Sequence, residues 1–321
     1  MSKKIIGIDL GGISVKLAIL SQNGEILQKW SIQTNTLDEG KNIIADIIQS
    51  LKEHIELYQL KPEEILGIGM GSPGKVDAEE KTVTGAYNLG WKTKQEIGKQ
   101  FQEAFEQPFF IGNDANVAAL GEQWQGAGLN LKDVVMFTIG TGVSGGIVAN
   151  GQLVTGAGGA AGEIGHLAVD FSDEYHCTCG KVGCLEAVAS ATGIQHLARH
   201  LSAEFAGISV IKQLIDDGQE ITSKMIFDEA QKGDKFANIV VDQFCQYLAI
   251  AVSHIANTLS PNKIVIGGGV SAAGEFLVDK IRQKAVPYIF PQIRTTCDIV
   301  LAQLGNDAGV VGAAQLVNLS L

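Results

Sequence analysis

Basic residues, long apolar runs and a cysteine framework are what this 321-residue chain has least of. Lys and Arg total 24 against 35 Asp and Glu, a formal net charge of −11. An anionic surface repels phosphate backbones, so a broad nucleic-acid footprint is not expected. An anionic substrate must then be held locally, by backbone N–H groups or with a metal. No uncharged apolar run reaches the ~18 residues of a membrane-spanning helix. No cationic-then-apolar leader opens the chain, because Asp9, Gly11, Gly12, Ser14 and Lys16 interrupt Ile5 to Leu20. The cysteines number five (Cys177, Cys179, Cys184, Cys245 and Cys297), three of them within eight residues. That odd, clustered count argues against a secreted disulfide scaffold and for a cytoplasmic protein.

What is present is a globular composition, 45% apolar and 18% charged. A single core stops growing near ~250–300 residues, so two domains are expected. The 39 glycines signal tight turns or close backbone approaches to a ligand.

Ile5–Ile8, the turn Asp9-Leu10-Gly11-Gly12 and Val15–Leu20 read as a β-hairpin, and Asn23-Gly24 turns the chain into a third strand at 25–32. Residues 39–58 carry an amphipathic helix (Ile43, Ile44, Ile47, Ile48, Leu51, Ile55). Strands at 65–70 and 109–111, and helices at 95–105 and 115–121, follow. The opening pattern then recurs: an apolar run at 134–139, the turn Gly140-Thr141-Gly142, an apolar run at 145–149, and Asn150-Gly151. The two units lie about 129 residues apart and imply an internal duplication. Residues 187–205 and 223–259 read as helical, with Phe244, Leu248, Val252 and Ile255 in one stripe. Strands at 264–266 and 299–304 and a helix at 307–317 close the chain.

Gly140-Thr141-Gly142-Val143-Ser144-Gly145 matches G-x-G-x-x-G, but a strand and turn follow where a dinucleotide site needs a helix. The P-loop motif is absent. A hairpin tip whose amides face an anion survives, beside the reading as an ordinary turn. Asp9, at a strand end, is either a turn former or an acid that holds a water on Mg²⁺. Asn113-Asp114 precedes a helix, so it reads either as an N-cap or as a carboxylate placed to take a proton from a hydroxyl nucleophile. His166, Cys177, Cys179 and Cys184 make a full tetrahedral Zn²⁺ set of the closed, structural kind, unless the thiols are merely buried. Glu163 and Glu186 flank that set and suit a polyhydroxyl ligand, unless both are simply solvated.

Taken together, the chain resembles the repressor, open-reading-frame, kinase (ROK) family, and within it the bacterial glucokinases. The likeness runs the full length. It rests on Gly7-Ile8-Asp9-Leu10-Gly11-Gly12, the segment from Asn113 to Glu122, and Ile139-Gly140-Thr141-Gly142-Val143-Ser144-Gly145-Gly146. It rests also on Gly162-Glu163-Ile164-Gly165-His166, the segment from Cys177 to Glu186, and Gly267-Gly268-Gly269.

The resemblance implies a two-domain actin-like, hexokinase-like α/β fold with duplicated mixed sheets and a cleft. A smaller domain of residues 1–115 plus 305–321 and a larger one of 116–304 are expected. It implies phosphorylation of a hexose by Mg-ATP, with Asp114 as general base toward the sugar 6-OH. Gly71, Asn88, Asn113, Glu163, His166 and Glu186 would bind the sugar. Asp9, Gly11, Gly12, Ser14, Lys16, Thr141 and Gly142 would serve the phosphates and Mg²⁺, and Gly267, Gly268 and Gly269 would pass under the adenosine. His166 would bind zinc through one ring nitrogen and the sugar through the other.

One position departs from the family: its first turn usually reads Asp-Leu-Gly-Gly-Thr, and here Ile13 replaces the Thr. Ile13 offers no hydroxyl, and Ser14, next along a strand, would face the other way. Weakened nucleotide handling is expected. Glucose is the first choice of substrate, ahead of N-acetylmannosamine, N-acetylglucosamine, allose and fructose. The family's repressors carry an N-terminal DNA-binding segment, whereas only Met1–Lys4 precede the first strand here, so an enzyme is expected. A homodimer through the helices of 223–259 completes the expectations.

Overall fold

The computed structural model describes residues 3–321. The chain forms β1 (Lys4–Leu10), β2 (Ser14–Ser21), β3 (Ile26–Gln33), α1 (Ile43–Leu57), β4 (Ile65–Ser72), β5 (Lys75–Asp77) and β6 (Thr82–Thr84). Then come α2 (Ile97–Ala104), β7 (Phe109–Asn113), α3 (Asp114–Gln125), β8 (Val134–Ile139), β9 (Val143–Ala149) and β10 (Gln152–Leu153). The remainder is mainly helical: α4 (Leu185–Ala189), α5 (Ala191–Ser202), α6 (Val210–Asp216), α7 (Ser223–Gln231), α8 (Lys235–Leu259), β11 (Lys263–Gly267), α9 (Glu275–Ala285), β12 (Asp298–Leu301) and α10 (Ala308–Ser320).

Two compact units result. The first comprises Met1–Lys132, Gly146–Ala161 and Leu304–Leu321, the second Asp133–Gly145 and Gly162–Gln303. One sheet has the order β3-β2-β1-β4-β7, the other β10-β9-β8-β11-β12. The orders match strand for strand, as duplication requires: an antiparallel meander, then parallel partners for its first strand.

In the first unit, both faces of the sheet are covered. Ile6, Ile8, Leu10 and Leu17 pack with Ile43, Ile47 and Leu51 of α1 and Phe101 of α2. Ile5, Ala18 and Leu20 pack against Val310, Val311, Ala314 and Val317 of α10. A strand buried on both faces loses polar alternation, which is why β1 reads as a nearly continuous apolar run. Helix α10 lies close to its neighbours because glycines meet it. A Cβ at Gly7 would strike the Val310 carbonyl, one at Gly69 the Ala313 carbonyl, and one at Gly312 the Val117 carbonyl of α3. Gly312→Ala should therefore lower stability by about 1–3 kcal/mol, the scale of overpacking a fitted contact. Urea denaturation checks this, and an unchanged midpoint would contradict the close crossing.

The fully buried Glu122 ties α3 to the chain entering α10. Its Oε1 accepts from the Leu304 N–H (2.7 Å) and its Oε2 from the Ala127 N–H (2.9 Å). This packing moves the division of the chain away from the expected 115/116 boundary. Helix α3 stays with the first unit, and residues 146–161 return to it.

In the second unit, α8 is the core helix. It is long and apolar enough to cross a membrane by length and composition alone, yet 67% of its most apolar window is buried within the protein. That burial explains its stripe. The helical stretches expected as continuous are broken by caps. Ser190 leaves helical geometry and accepts from the Gly193 N–H, which separates α4 from α5. Gly233, at φ +95°, ends α7, and Asp234 then caps α8 through the Ala237 N–H. The expected helix of 39–58 begins only at Ile43, because Asp38 and Glu39 are left-handed (φ 50° and 59°). Strand β12 stops at Leu301 rather than 304. Elements β5, β6, α6 and α9 were not expected.

Candidate active-site elements

In the first unit, Asp9 stands opposite Lys16 in the β1–β2 register, and Lys16 Nζ lies 3.0 Å from Asp9 Oδ2. A half-exposed pair of this kind contributes at most about 1 kcal/mol, so a divalent cation can compete with Lys16 for the carboxylate. The turn beyond them is closed by the Gly11 N–H donating to the Ser14 carbonyl at 3.1 Å. Ile13 projects from its tip, 86% exposed. Asn88 lies over this turn, its amide nitrogen 3.2 Å from where a Cβ on Gly12 would sit. One face of the turn thus carries both the expected phosphate residues and an expected sugar residue.

Ser72 pairs with Asn113 across the ends of β4 and β7, which sets the Gly71–Gly74 turn beside the start of α3. A Cβ on Gly71 would lie 3.5 Å from Asp114 Cα. The cap belongs to Asn113. Its Oδ1 accepts from the N–H groups of Ala115 (3.1 Å) and Asn116 (3.3 Å), and its Nδ2 donates to the Gly74 carbonyl at 3.4 Å. Asp114 is the first residue of α3 and half-buried, and its Oδ1 accepts from the Ala115 N–H at 2.8 Å. The N-cap weighed for Asn113-Asp114 therefore falls on Asn113.

In the second unit, the turn at Gly140–Gly142 is closed by the Gly140 N–H donating to the Gly142 carbonyl (2.9 Å). Gly268, at φ +83°, packs directly on the backbone of Ile139, so the Gly267–Gly269 run begins beside this turn. Glu186, expected at the sugar, reaches this turn. Its Oε2 accepts from the Val143 N–H at 2.9 Å and fills the space where a Cβ on Gly142 would stand. One carboxylate oxygen thus ties Glu186 to the Gly140–Gly142 turn. Thr141, Gly142, Cys177, Glu186, Thr192 and His196 line a cavity of about 320 Å³ here. Thr192 and His196, from the first turns of α5, carry no sequence signal that would mark them.

Glu163 precedes the 3₁₀ turn of Ile164–His166, and its Oε2 lies 3.8 Å from His166 Nε2. His166 Nδ1 points the other way, 3.7 Å from Cys177 Sγ. Cys179 Sγ is 3.8 Å from Cys184 Sγ, and the four donor atoms lie within 4.8 Å of one another. A tetrahedron with metal–sulfur bonds of 2.3 Å has edges of ~3.8 Å, so the donor set fits zinc in size and type. The loop is held by backbone pairing. The Cys177 N–H donates to the Lys181 carbonyl, and Gly183, at φ +73°, sits where a Cβ would strike the Asp170 carbonyl. The Tyr247 hydroxyl donates to Asp170 Oδ1 at 3.1 Å and pins this loop to α8. Burial pushes the Cys184 thiol up to about 12, whereas the Lys181 backbone N–H lowers that of Cys179.

Comparison with known proteins places this geometry in context. The sequence model of the ROK family matches residues 5–319. A glucokinase of Halalkalibacterium halodurans is 42% identical over 312 residues, 97% of this chain and 94% of that protein. A glucokinase of Thermotoga maritima is 37% identical over 314 residues, 98% of this chain and 97% of that protein. Among solved structures, a ROK family glucokinase from Streptomyces griseus in complex with glucose and AMPPNP is 30% identical. It superimposes with a TM-score of 0.76, over 98% of this chain and 99% of that one.

Proposed function

The chain belongs to the ROK family, and from that premise we propose that it is an ATP-dependent glucokinase whose general base is Asp114. The similarity to two glucokinases over nearly the whole chain supports the activity and the substrate. The observation that carries the residue assignment is the half-buried carboxylate that opens α3, beside the Gly71–Gly74 turn and next to a cap made by another residue.

Phosphoryl transfer depends on positioning and charge stabilisation more than on covalent chemistry. Asp114 takes the proton from the sugar 6-OH as that oxygen attacks the γ-phosphorus of ATP, and ADP leaves. Asn113, Asn88, Glu163 and Nε2 of His166 fix the other hydroxyls. Gly12, Thr141 and Gly142 offer amides to the phosphates, with Gly11 closing the first turn, Asp9 orders a water of the Mg²⁺ that accompanies ATP, and Gly267–Gly269 runs under the adenosine. His166 Nδ1, Cys177, Cys179 and Cys184 would hold a structural zinc, which fixes the imidazole plane. That leaves Nε2 aimed at the sugar.

Ile13 supplies no hydroxyl at the first turn. Ile13→Thr is expected to lower the KM for MgATP; identical KM and kcat would remove the significance of that position. A coupled ADP-release assay over hexoses and N-acetylhexosamines tests the whole reading. Glucose is expected to show the highest kcat/KM, and a preference for N-acetylmannosamine or the absence of sugar-dependent ADP release would refute it. A homodimer in the cytoplasm completes the proposal; only monomer by light scattering at working concentration would remove the dimer.

A further inference from the structure

Thr34 lies just beyond β3, outside every motif considered above, yet it touches the first phosphate turn twice. Its Oγ1 donates to the Gly11 carbonyl at 2.6 Å, and its backbone N–H donates to the Ile13 carbonyl at 3.0 Å. The side chain is almost fully buried. Both bonds end on carbonyl oxygens. The Gly12 and Ile13 N–H groups are left without a protein acceptor among the described residues.

A Gly-rich turn binds an anion only if its amides point outward together and its carbonyls point away. Gly11 and Gly12 have the backbone freedom to flip a peptide, which would turn a carbonyl toward the anion. Tying the Gly11 carbonyl opposes a flip of the peptide that carries the Gly12 N–H, and tying the Ile13 carbonyl fixes the chain where it leaves the turn; neither bond consumes a donor of the turn. The second turn is braced on the same side. The Ala191 N–H donates to the Gly140 carbonyl at 2.7 Å, and Thr192 Oγ1 donates to the Thr141 carbonyl at 3.4 Å.

We propose that Thr34 is a positioning residue for nucleotide binding, which holds the amides of the first phosphate turn toward the phosphates by anchoring the turn's carbonyls. The inference rests on the nucleotide reading given above. The main effect of Thr34 falls on MgATP rather than on the sugar, because its bonds end on the Gly11 and Ile13 carbonyls and on none of Asn88, Asn113 and Asp114, although Asn88 packs on the same turn.

The test compares Thr34→Val, which keeps shape and loses the hydroxyl, with Thr34→Ser, which keeps the hydroxyl. Losing one buried hydrogen bond corresponds to about a five- to tenfold change in an equilibrium constant. The KM for MgATP should rise on that scale in Thr34→Val, with the glucose KM within twofold of wild type. Thr34→Ser should restore most of the difference. The rise in melting temperature on adding MgADP, read without turnover, should shrink in Thr34→Val while the rise on adding glucose persists. An unchanged MgATP KM, equal losses toward both substrates, or a Ser variant as weak as the Val variant overturns the proposal. If Thr34→Val does not fold, Thr34→Ser alone must match wild type in its MgADP shift, and a reduced shift overturns it. A wild-type protein that MgADP does not stabilise fails the nucleotide reading itself, and this proposal falls with it.

Discussion

Asp114→Asn should lower kcat by roughly 10²–10⁴-fold, the contribution of a positioned general base, while the fold persists. Stability should hold because the α3 cap is made by Asn113, not by residue 114. An amide at 114 also keeps the oxygen that accepts from the Ala115 N–H. The expected signature is a kcat collapse with the melting temperature and the glucose-induced stabilisation close to wild type. Asn113→Ala should do the reverse in part, with a loss of about 1 kcal/mol of stability from the missing cap. A fully active Asp114→Asn enzyme would end the assignment.

Removing the metal ligand set should produce the second large effect, on the binding of the sugar rather than on the chemical step. Metal analysis is expected to find about one zinc per chain, as a closed four-ligand site holds. Cys184→Ser breaks the set at its fully buried member. Zinc content should fall and the melting temperature should drop. The glucose KM should rise about tenfold or more as His166 loses its fixed orientation, the scale of one hydrogen bond to a polar ligand. The MgATP KM should move far less. A folded, fully active preparation free of zinc would contradict the structural role.

How much of this the sequence announces depends on how local each signal is. The meander, the Asn23-Gly24 and Asn150-Gly151 turns and the clustered Cys and His donors are written within a few residues. The expectations for them match the structure in type and nearly in bounds. Glu186 is different. Its partner, the Val143 N–H, is 43 residues away in the chain, so spacing around the metal loop could not show which way the carboxylate turns. Thr34 is hidden for the same reason, since Gly11 lies across the sheet and not beside it in sequence. Strands β5 and β6 are three residues each, too short for a period of two to show. The expectations pass over α9, although Leu277, Val278, Ile281 and Ala285 carry a helical stripe. Helix breaks at Ser190 and Gly233 fall inside long apolar patterns, where periodicity outweighs single caps.

The apolar face of Ile5, Ala18 and Leu20 is covered by the final helix, α10. During synthesis β1 and β2 emerge some three hundred residues before their cover. On a ribosome that adds about 5–20 residues per second, that face waits tens of seconds in the nascent chain. A truncation that removes α10 therefore does more than shorten the protein. It leaves the first-made sheet permanently half dressed, a substrate for chaperones and proteases, and the loss should appear as low yield before it appears in any kinetic constant.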